Sequence, residues 1–388
     1  MKKMKALFCA IMIAALLTPG LGVFAARSDI AAVSSGLTLE LSSSSACLME
    51  AATGEVIYEQ NADEPLEPAS VTKVMSLLLI CEALDEGILK LDDLVTGSEA
   101  AASMGGSQIW LEVGEQLSVD DMLKAMVVVS ANDCTVAMAE HLAGSEEAFV
   151  ARMNKRAAEL GMKNTNFVNS TGLPIENHHT TARDIAIMTR ELLTHEVIFN
   201  YTTIWMDSLR GGEMGLSNTN KLVRFYPGAN GMKTGYTDTA KYCLSATAKR
   251  DKLQLIAAVM KAPTSDERFG DAKKLLDFGF ANFSVYSTEE TALPELKVLG
   301  GVRPSVPLRY GTKEILVAKG REKQIEAVTE LPESVVSPVK AGEVVGKIRY
   351  QIGGETVAEV DIVTGEDVRR MGFADVVKSI FRGTMLLS

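Results

Sequence analysis

The sequence predicts an α/β (α+β) fold: one antiparallel sheet flanked by helices, then a small β-sandwich and a C-terminal amphipathic helix. Three observations lead there. Strand-like runs at residues 47–49 and 56–58 flank Ala52-Thr53-Gly54 as a hairpin, and a second hairpin pattern joins 242–248 to 253–260. Between them, from Ser70 to about residue 193, apolar residues recur at helical spacing. Strands at both ends of a helical stretch must pair in one sheet to bury their apolar faces.

Taken in order, the chain opens on Lys2, Lys3 and Lys5, an apolar run over 6–17 and Val23-Phe24-Ala25. That is the pattern of an export segment over residues 1–25, too short to span a bilayer comfortably. Cys9 lies inside the apolar run, which argues against a lipid anchor. A Ser-rich leader over 26–36 leads into the main domain, 37–282. Pro65 and Pro68 precede Ser70, and Val71, Val74, Met75, Leu77, Leu78, Leu79 and Ile80 follow it, so a buried helix should open at Ser70. Met122, Leu123, Met126 and Val127 mark a helix ending at Ser130, and Asn132-Asp133 opens another. Residues 145–160 carry a capping Ser, an acidic first turn and Gly161 at the end. A helix over 267–278 closes the domain. From about Phe283, β-rich runs at 314–317, 344–350 and 356–363 alternate with Gly and Pro turns, predicting the β-sandwich over 283–366. Residues 367–388 return to helical period. Val368, Met371, Phe373, Val376, Val377, Ile380, Phe381 and Met385 form a stripe, with Arg369, Arg370, Lys378 and Arg382 mostly off it. A basic face opposite an apolar one suits a helix lying in an anionic membrane surface.

At 388 residues and 47% hydrophobic, the chain can bury a large core. Its formal charge of −11 argues against nucleic acid as a partner. Cys47, Cys81, Cys134 and Cys243 lack paired spacing and sit in apolar patterns, so they are expected as buried free thiols. His141, His178, His179 and His195 form no metal-ligand pattern, and neither metal nor cofactor is expected. His178-His179, beside Thr180-Thr181 and a helix start, are expected in a loop packed on that helix.

Three clusters carry the chemistry: Ser70-Val71-Thr72-Lys73, Ser130-Ala131-Asn132 and Lys233-Thr234-Gly235. Ser-x-x-Lys on a helix puts a hydroxyl and an amine on one face, a turn apart. The second cluster adds a hydroxyl and an amide; the third adds a cation, a hydroxyl and a backbone without a side chain. Together they make an acyl-transfer site that needs neither histidine nor metal. Each cluster alone has a plainer explanation, Ser70 and Asn132 as helix caps and Lys233 as a solvated strand end. Ser337-Pro338-Val339-Lys340 also fits Ser-x-x-Lys, but in a proline-flanked, strand-like stretch, and it is read as accidental.

The wider motifs resemble the serine-type D-Ala-D-Ala carboxypeptidases among the low-molecular-mass penicillin-binding proteins. Pro68-Ala69-Ser70-Val71-Thr72-Lys73, Gly105-Gly106-Ser107, Ser130-Ala131-Asn132-Asp133, Asn169-Ser170-Thr171-Gly172-Leu173-Pro174, Thr181-Ala182-Arg183-Asp184 and Gly231-Met232-Lys233-Thr234-Gly235 carry it over residues 37–280, with a looser likeness beyond. Cys134 stands where the family often has alanine, and Lys241 where glycine is common. The resemblance implies a penicillin-binding-protein/β-lactamase-like catalytic domain that removes the terminal D-Ala from peptidoglycan stem peptides and is acylated by β-lactam antibiotics. It implies Ser70 as nucleophile, Lys73 as base, and Ser130 as proton relay. Asn132 would hold the substrate amide, Lys233 and Thr234 the carboxylate, and Gly235 would let the substrate lie along the strand. The oxyanion would sit between the N–H groups of Ser70 and Tyr236, and Arg268 would be a second carboxylate contact. Burial and Lys233 should lower the Lys73 pKa. The implied address is the outer face of the cytoplasmic membrane. A β-lactamase is disfavoured because Glu159-Leu160-Gly161-Met162-Lys163 does not match the E-x-x-L-N deacylation pattern. A D,D-endopeptidase or transpeptidase shares every catalytic residue. A silent wall-binding protein is disfavoured by the complete residue set.

Overall fold

The computed structural model describes residues 39–378; the expected export segment, the leader and the tail beyond 378 lie outside that range. The chain divides into two compact units that meet in sequence at residues 285 and 286.

The first unit is built on a five-stranded antiparallel sheet. Its strands are β1 (Ser45–Glu50), β2 (Val56–Gln60), β3 (Ala229–Thr237), β4 (Lys241–Arg250) and β5 (Leu253–Ala262), in the order β2-β1-β5-β4-β3. The N-terminal hairpin therefore pairs with the C-terminal one, Leu48 opposite Ala257. Every residue of β1 is buried, which requires cover on both faces. The helix Ser265–Asn282 packs on β5 so closely that a Cβ on Gly279 would stand 2.5 Å from Leu255 Cδ1. Thr264 caps this helix by accepting from Glu267 N–H.

The helices lie between the hairpins. They are α1 (Lys73–Asp85), α2 (Val119–Val128), α3 (Asn132–Ala143), α4 (Glu146–Glu159) and α5 (Ala182–Leu192), with Ser265–Asn282 as α6 after shorter turns. Val74, Met75, Leu77, Leu78, Ile80 and Cys81 of α1 are fully buried; its apolar residues surround the axis, as expected for a central helix. Ser145 caps α4 through Ala148 N–H, and Gly161 follows at φ +77°. All four cysteines from 47 onward are buried and unpaired, as expected.

The structure differs from the sequence-based expectation at three places. No regular α-helix opens at Ser70: Ala69–Thr72 forms a 3₁₀ turn, and α1 begins at Lys73. Ala69 at φ +49° is left-handed, so no regular helix can extend back through it, and the first turn after it is wound as 3₁₀. Two short antiparallel strand pairs, Leu94–Thr96 with Gln116–Ser118 and Met206–Leu209 with Met214–Ser217, are too short to show a period. In the tail, Val368 is buried and bridges Val339, and Arg370 bridges Gly301; the helix begins only at Phe373. Val368 belongs to an apolar cluster with Leu296, Val298, Val306 and Val339, so it is not part of an exposed stripe.

The second unit is β-rich. Ile325–Glu330, Val344–Ile352, Glu355–Thr364 and Leu308–Arg309 form one antiparallel sheet, and Leu296–Leu299 pairs with Ser305–Val306 and Ser334–Val336 in another. Ile315, Val317, Ile348, Tyr350, Ile352 and Ile362 fill the larger core. Among the described residues no helix is long and apolar enough to cross a membrane, and no cluster of His, Cys, Asp or Glu is arranged to hold a metal.

Candidate active site

Ser70 sits in the 3₁₀ turn and Lys73 on the first residue of α1, so the turn's i,i+3 geometry brings amine and hydroxyl together. Lys73 Nζ lies 3.1 Å from Ser70 Oγ and donates to Asn132 Oδ1 at 2.6 Å and to the Thr171 carbonyl at 2.9 Å, which in the neutral amine leaves its lone pair for the Ser70 hydroxyl. Lys73 is wholly buried, and among the described residues it is paired with no carboxylate. Desolvation holds its pKa well below the ordinary value for an amine, Lys233 pushes the same way, and Asp133 opposes them. The expected direction and both expected causes are present.

Ser130 lies between α2 and α3 at φ +66°, with its Oγ buried and no hydrogen-bond partner. Asn132 is no side-chain cap of α3; it receives Lys73 and donates to the Gly105 carbonyl at 2.7 Å. Gly106 is needed beside it, because a Cβ there would approach Asn132 Nδ2 to 2.9 Å.

Lys233-Thr234-Gly235 lies within β3, buried rather than at a solvated end. Lys233 Nζ donates to the Thr234 carbonyl at 3.0 Å, and Thr234 Oγ1 pairs with Thr219 Oγ1 at 2.7 Å. Burial first, and then Arg268, lower the Lys233 pKa to about 7. A Cβ on Gly235 would stand 2.7 Å from the Pro68 carbonyl and 3.0 Å from Ser70 N, so only glycine lets β3 lie against the nucleophile turn. Tyr236 is next on the strand; its side chain is half exposed and stacks on Tyr242. Arg268 is turned to the sheet. Its Nη1 donates to the Gly235 and Cys243 carbonyls at 3.1 and 3.3 Å, and its guanidinium stacks on Phe269 and Tyr242. It backs β3, its charge lowers the Lys233 pKa, and its Nε is buried without a partner.

Several contributors escaped the sequence reading. The Thr171 carbonyl has no side-chain signature. Asp133 Oδ2 accepts from Ile109 and Leu111 N–H at 2.9 and 3.0 Å and ties the 105–111 loop to α3. A Cβ on Gly172 would fall 1.9 Å from the Ala69 carbonyl oxygen. His178 reaches the nucleophile turn itself, through Thr72. Lys241 has φ +56°, a left-handed position that suits the glycine common there in the resembling family. Ser337 is buried with an unpartnered Oγ, but Lys340 is exposed and neither lies on a helix, so no amine activates it.

Comparison with known proteins places the chain in a family. A family model described as D-alanyl-D-alanine carboxypeptidase matches residues 31–264, and one described as the C-terminal domain of penicillin-binding protein 5 matches 280–370. The D-alanyl-D-alanine carboxypeptidase DacF of Bacillus subtilis is 44% identical over 342 residues, covering 86% of this chain and 88% of the relative. The solved penicillin binding protein 5 of Haemophilus influenzae superposes with a TM-score of 0.78 at 32% identity, over 86% of this chain and 99% of that one. Penicillin-Binding Protein D2 of Listeria monocytogenes in its ampicillin-bound form superposes at 0.58 with 32% identity, over 63% of this chain and 100% of that one. With a serine and a buried lysine in contact, a lysine-bearing strand laid against them and both domains matched in order, the chain belongs to the serine-type D-alanyl-D-alanine carboxypeptidase family of low-molecular-mass penicillin-binding proteins.

Proposed function

We propose that this chain removes the terminal D-Ala from peptidoglycan stem peptides through an acyl-enzyme on Ser70, and that β-lactams trap the same serine. The contact between Ser70 Oγ and a wholly buried Lys73 carries the proposal. A serine hydroxyl needs a base to become a nucleophile, and an amine kept neutral by burial can take its proton. Oγ then attacks the carbonyl of the penultimate D-Ala. The negative charge on the carbonyl oxygen falls between the N–H groups of Ser70 and Tyr236, where fixed donors stabilise it without reorganising. Ser130 Oγ, with no competing partner, passes a proton to the departing amine as the C–N bond breaks. Lys233 with Thr234 receives the terminal carboxylate, and Asn132 holds the substrate amide while orienting Lys73. Water then hydrolyses the ester and regenerates Ser70.

The same catalytic residues would serve an endopeptidase, and recognition of a free carboxylate separates the two. The parent should strongly prefer a peptide ending in D-Ala-D-Ala acid over its C-terminal amide, and Lys233→Ala should lose most of that preference. A parent that cleaves acid and amide equally well would make endopeptidase activity the better assignment.

We further infer export, followed by peripheral attachment to the anionic membrane surface through the C-terminal tail. The opening segment has the export pattern, and the tail pairs basic with apolar residues. Phe373 at the start of the helix is 86% exposed, an apolar ring left uncovered where the tail leaves the β-rich unit.

A further inference from the structure

His178 lies far from the three catalytic clusters in sequence, yet it touches the turn that carries the nucleophile. Its ring is buried against Phe167. The Val168 amide can only donate, and it donates to His178 Nδ1 at 3.0 Å. The ring is therefore neutral, with its hydrogen on Nε2. Nε2–H faces Thr72 Oγ1 at 2.8 Å, and Thr72 in turn donates its hydroxyl hydrogen to the Ala69 carbonyl at 2.9 Å. Burial lowers the His178 pKa to about 4, which keeps this polarity at neutral pH.

The end of that chain matters because the Ala69 carbonyl and the Ser70 N–H belong to one planar trans peptide and point in opposite directions. Fixing the carbonyl fixes the amide. The peptide also needs fixing: Ala69 holds a left-handed φ of +49°, which costs a residue with a Cβ about 1–2 kcal/mol. We propose that His178 is a positioning residue for the oxyanion site, acting through Thr72 and the Ala69 carbonyl to aim the Ser70 N–H at the developing charge. The proposal rests on the assignment of that N–H as an oxyanion donor.

The two ends of the ring can be tested apart. In His178→Gln the amide nitrogen can take the place of Nε2 and still donate to Thr72. In His178→Asn the amide oxygen can take the place of Nδ1 and accept from Val168, but nothing reaches Thr72. Thr72→Val keeps the shape and removes the hydroxyl. Losing an oxyanion donor outright costs about 10²–10³ in rate. We therefore expect Asn and Val to slow acylation by saturating penicillin at least about tenfold, with the pre-covalent Kd within about threefold of the parent. Gln should stay within about threefold in both. The proposal fails if Thr72→Val acylates at the parental rate, if Gln loses as much as Asn, or if the loss is in Kd alone. Thr72→Val decides the matter should the His178 variants not fold. A parent that penicillin does not acylate would instead defeat the functional assignment itself.

Discussion

Lys73 and Lys233 are both buried to within 1% of full exclusion from water, and among the described residues neither is paired with a carboxylate. Burying an ammonium costs several kcal/mol, so each is biased towards its neutral form. Their surroundings then divide the work. Lys73 touches Ser70 and has its pKa driven down by burial and by Lys233, which suits a base. Lys233 lies on the strand where the substrate carboxylate is proposed to bind, and at about 7 its pKa leaves a large charged fraction for an anion to capture. Lys73→Arg keeps a cation in place but cannot give up its proton at working pH. It should slow penicillin acylation by at least about a hundredfold, the lower end for a positioned general base. Time-resolved mass measurement of the adduct would check this, and near-parental acylation would place the base elsewhere.

The turn before α1 depends on a neighbouring loop that brings no reacting group. Gly172 holds φ +86°, and a methyl there would meet the Ala69 carbonyl carbon at 2.4 Å as well as its oxygen. Gly172→Ala should therefore cost roughly 2–5 kcal/mol from overpacking and a left-handed backbone. A thermal melt would show it as a lower Tm, and acylation should fall in the molecules that remain folded. An unchanged Tm with full acylation would mean that the loop and the turn do not need each other. This element also shows where sequence reading stops. Ser70, Lys73, Asn132 and Lys233 were legible because their side chains do chemistry at recognisable spacings, and β1 with β5 because buried strands leave apolar runs. The Thr171 carbonyl, the left-handed Ala69 and the His178–Thr72 contact were not, because each depends on backbone placement between segments about a hundred residues apart. Arg268 was placed only by its position in a family-like segment, and its contacts with the Gly235 and Cys243 carbonyls and with Ser265 again have no signature in the sequence.

On the scale of the whole molecule, none of the residues proposed for catalysis lies in the β-rich unit or the tail, so chemistry and address should separate. Val368 and Arg370 are tied to the β-rich unit, which makes residue 372 the place to cut. Removing 372–388 should leave peptide hydrolysis unchanged and abolish flotation with anionic liposomes. Equal behaviour of the full-length and shortened proteins would make the tail irrelevant to attachment. The central claim, a serine acyl-enzyme that forms readily and hydrolyses slowly when a β-lactam is the acyl donor, meets its most direct test in the mass of the intact protein. After brief exposure to penicillin, the purified protein should gain the mass of one drug molecule, mapped to the peptide containing Ser70, and lose D-Ala release in proportion. An adduct on Ser337, or rapid turnover of the drug with no adduct accumulating, would contradict it.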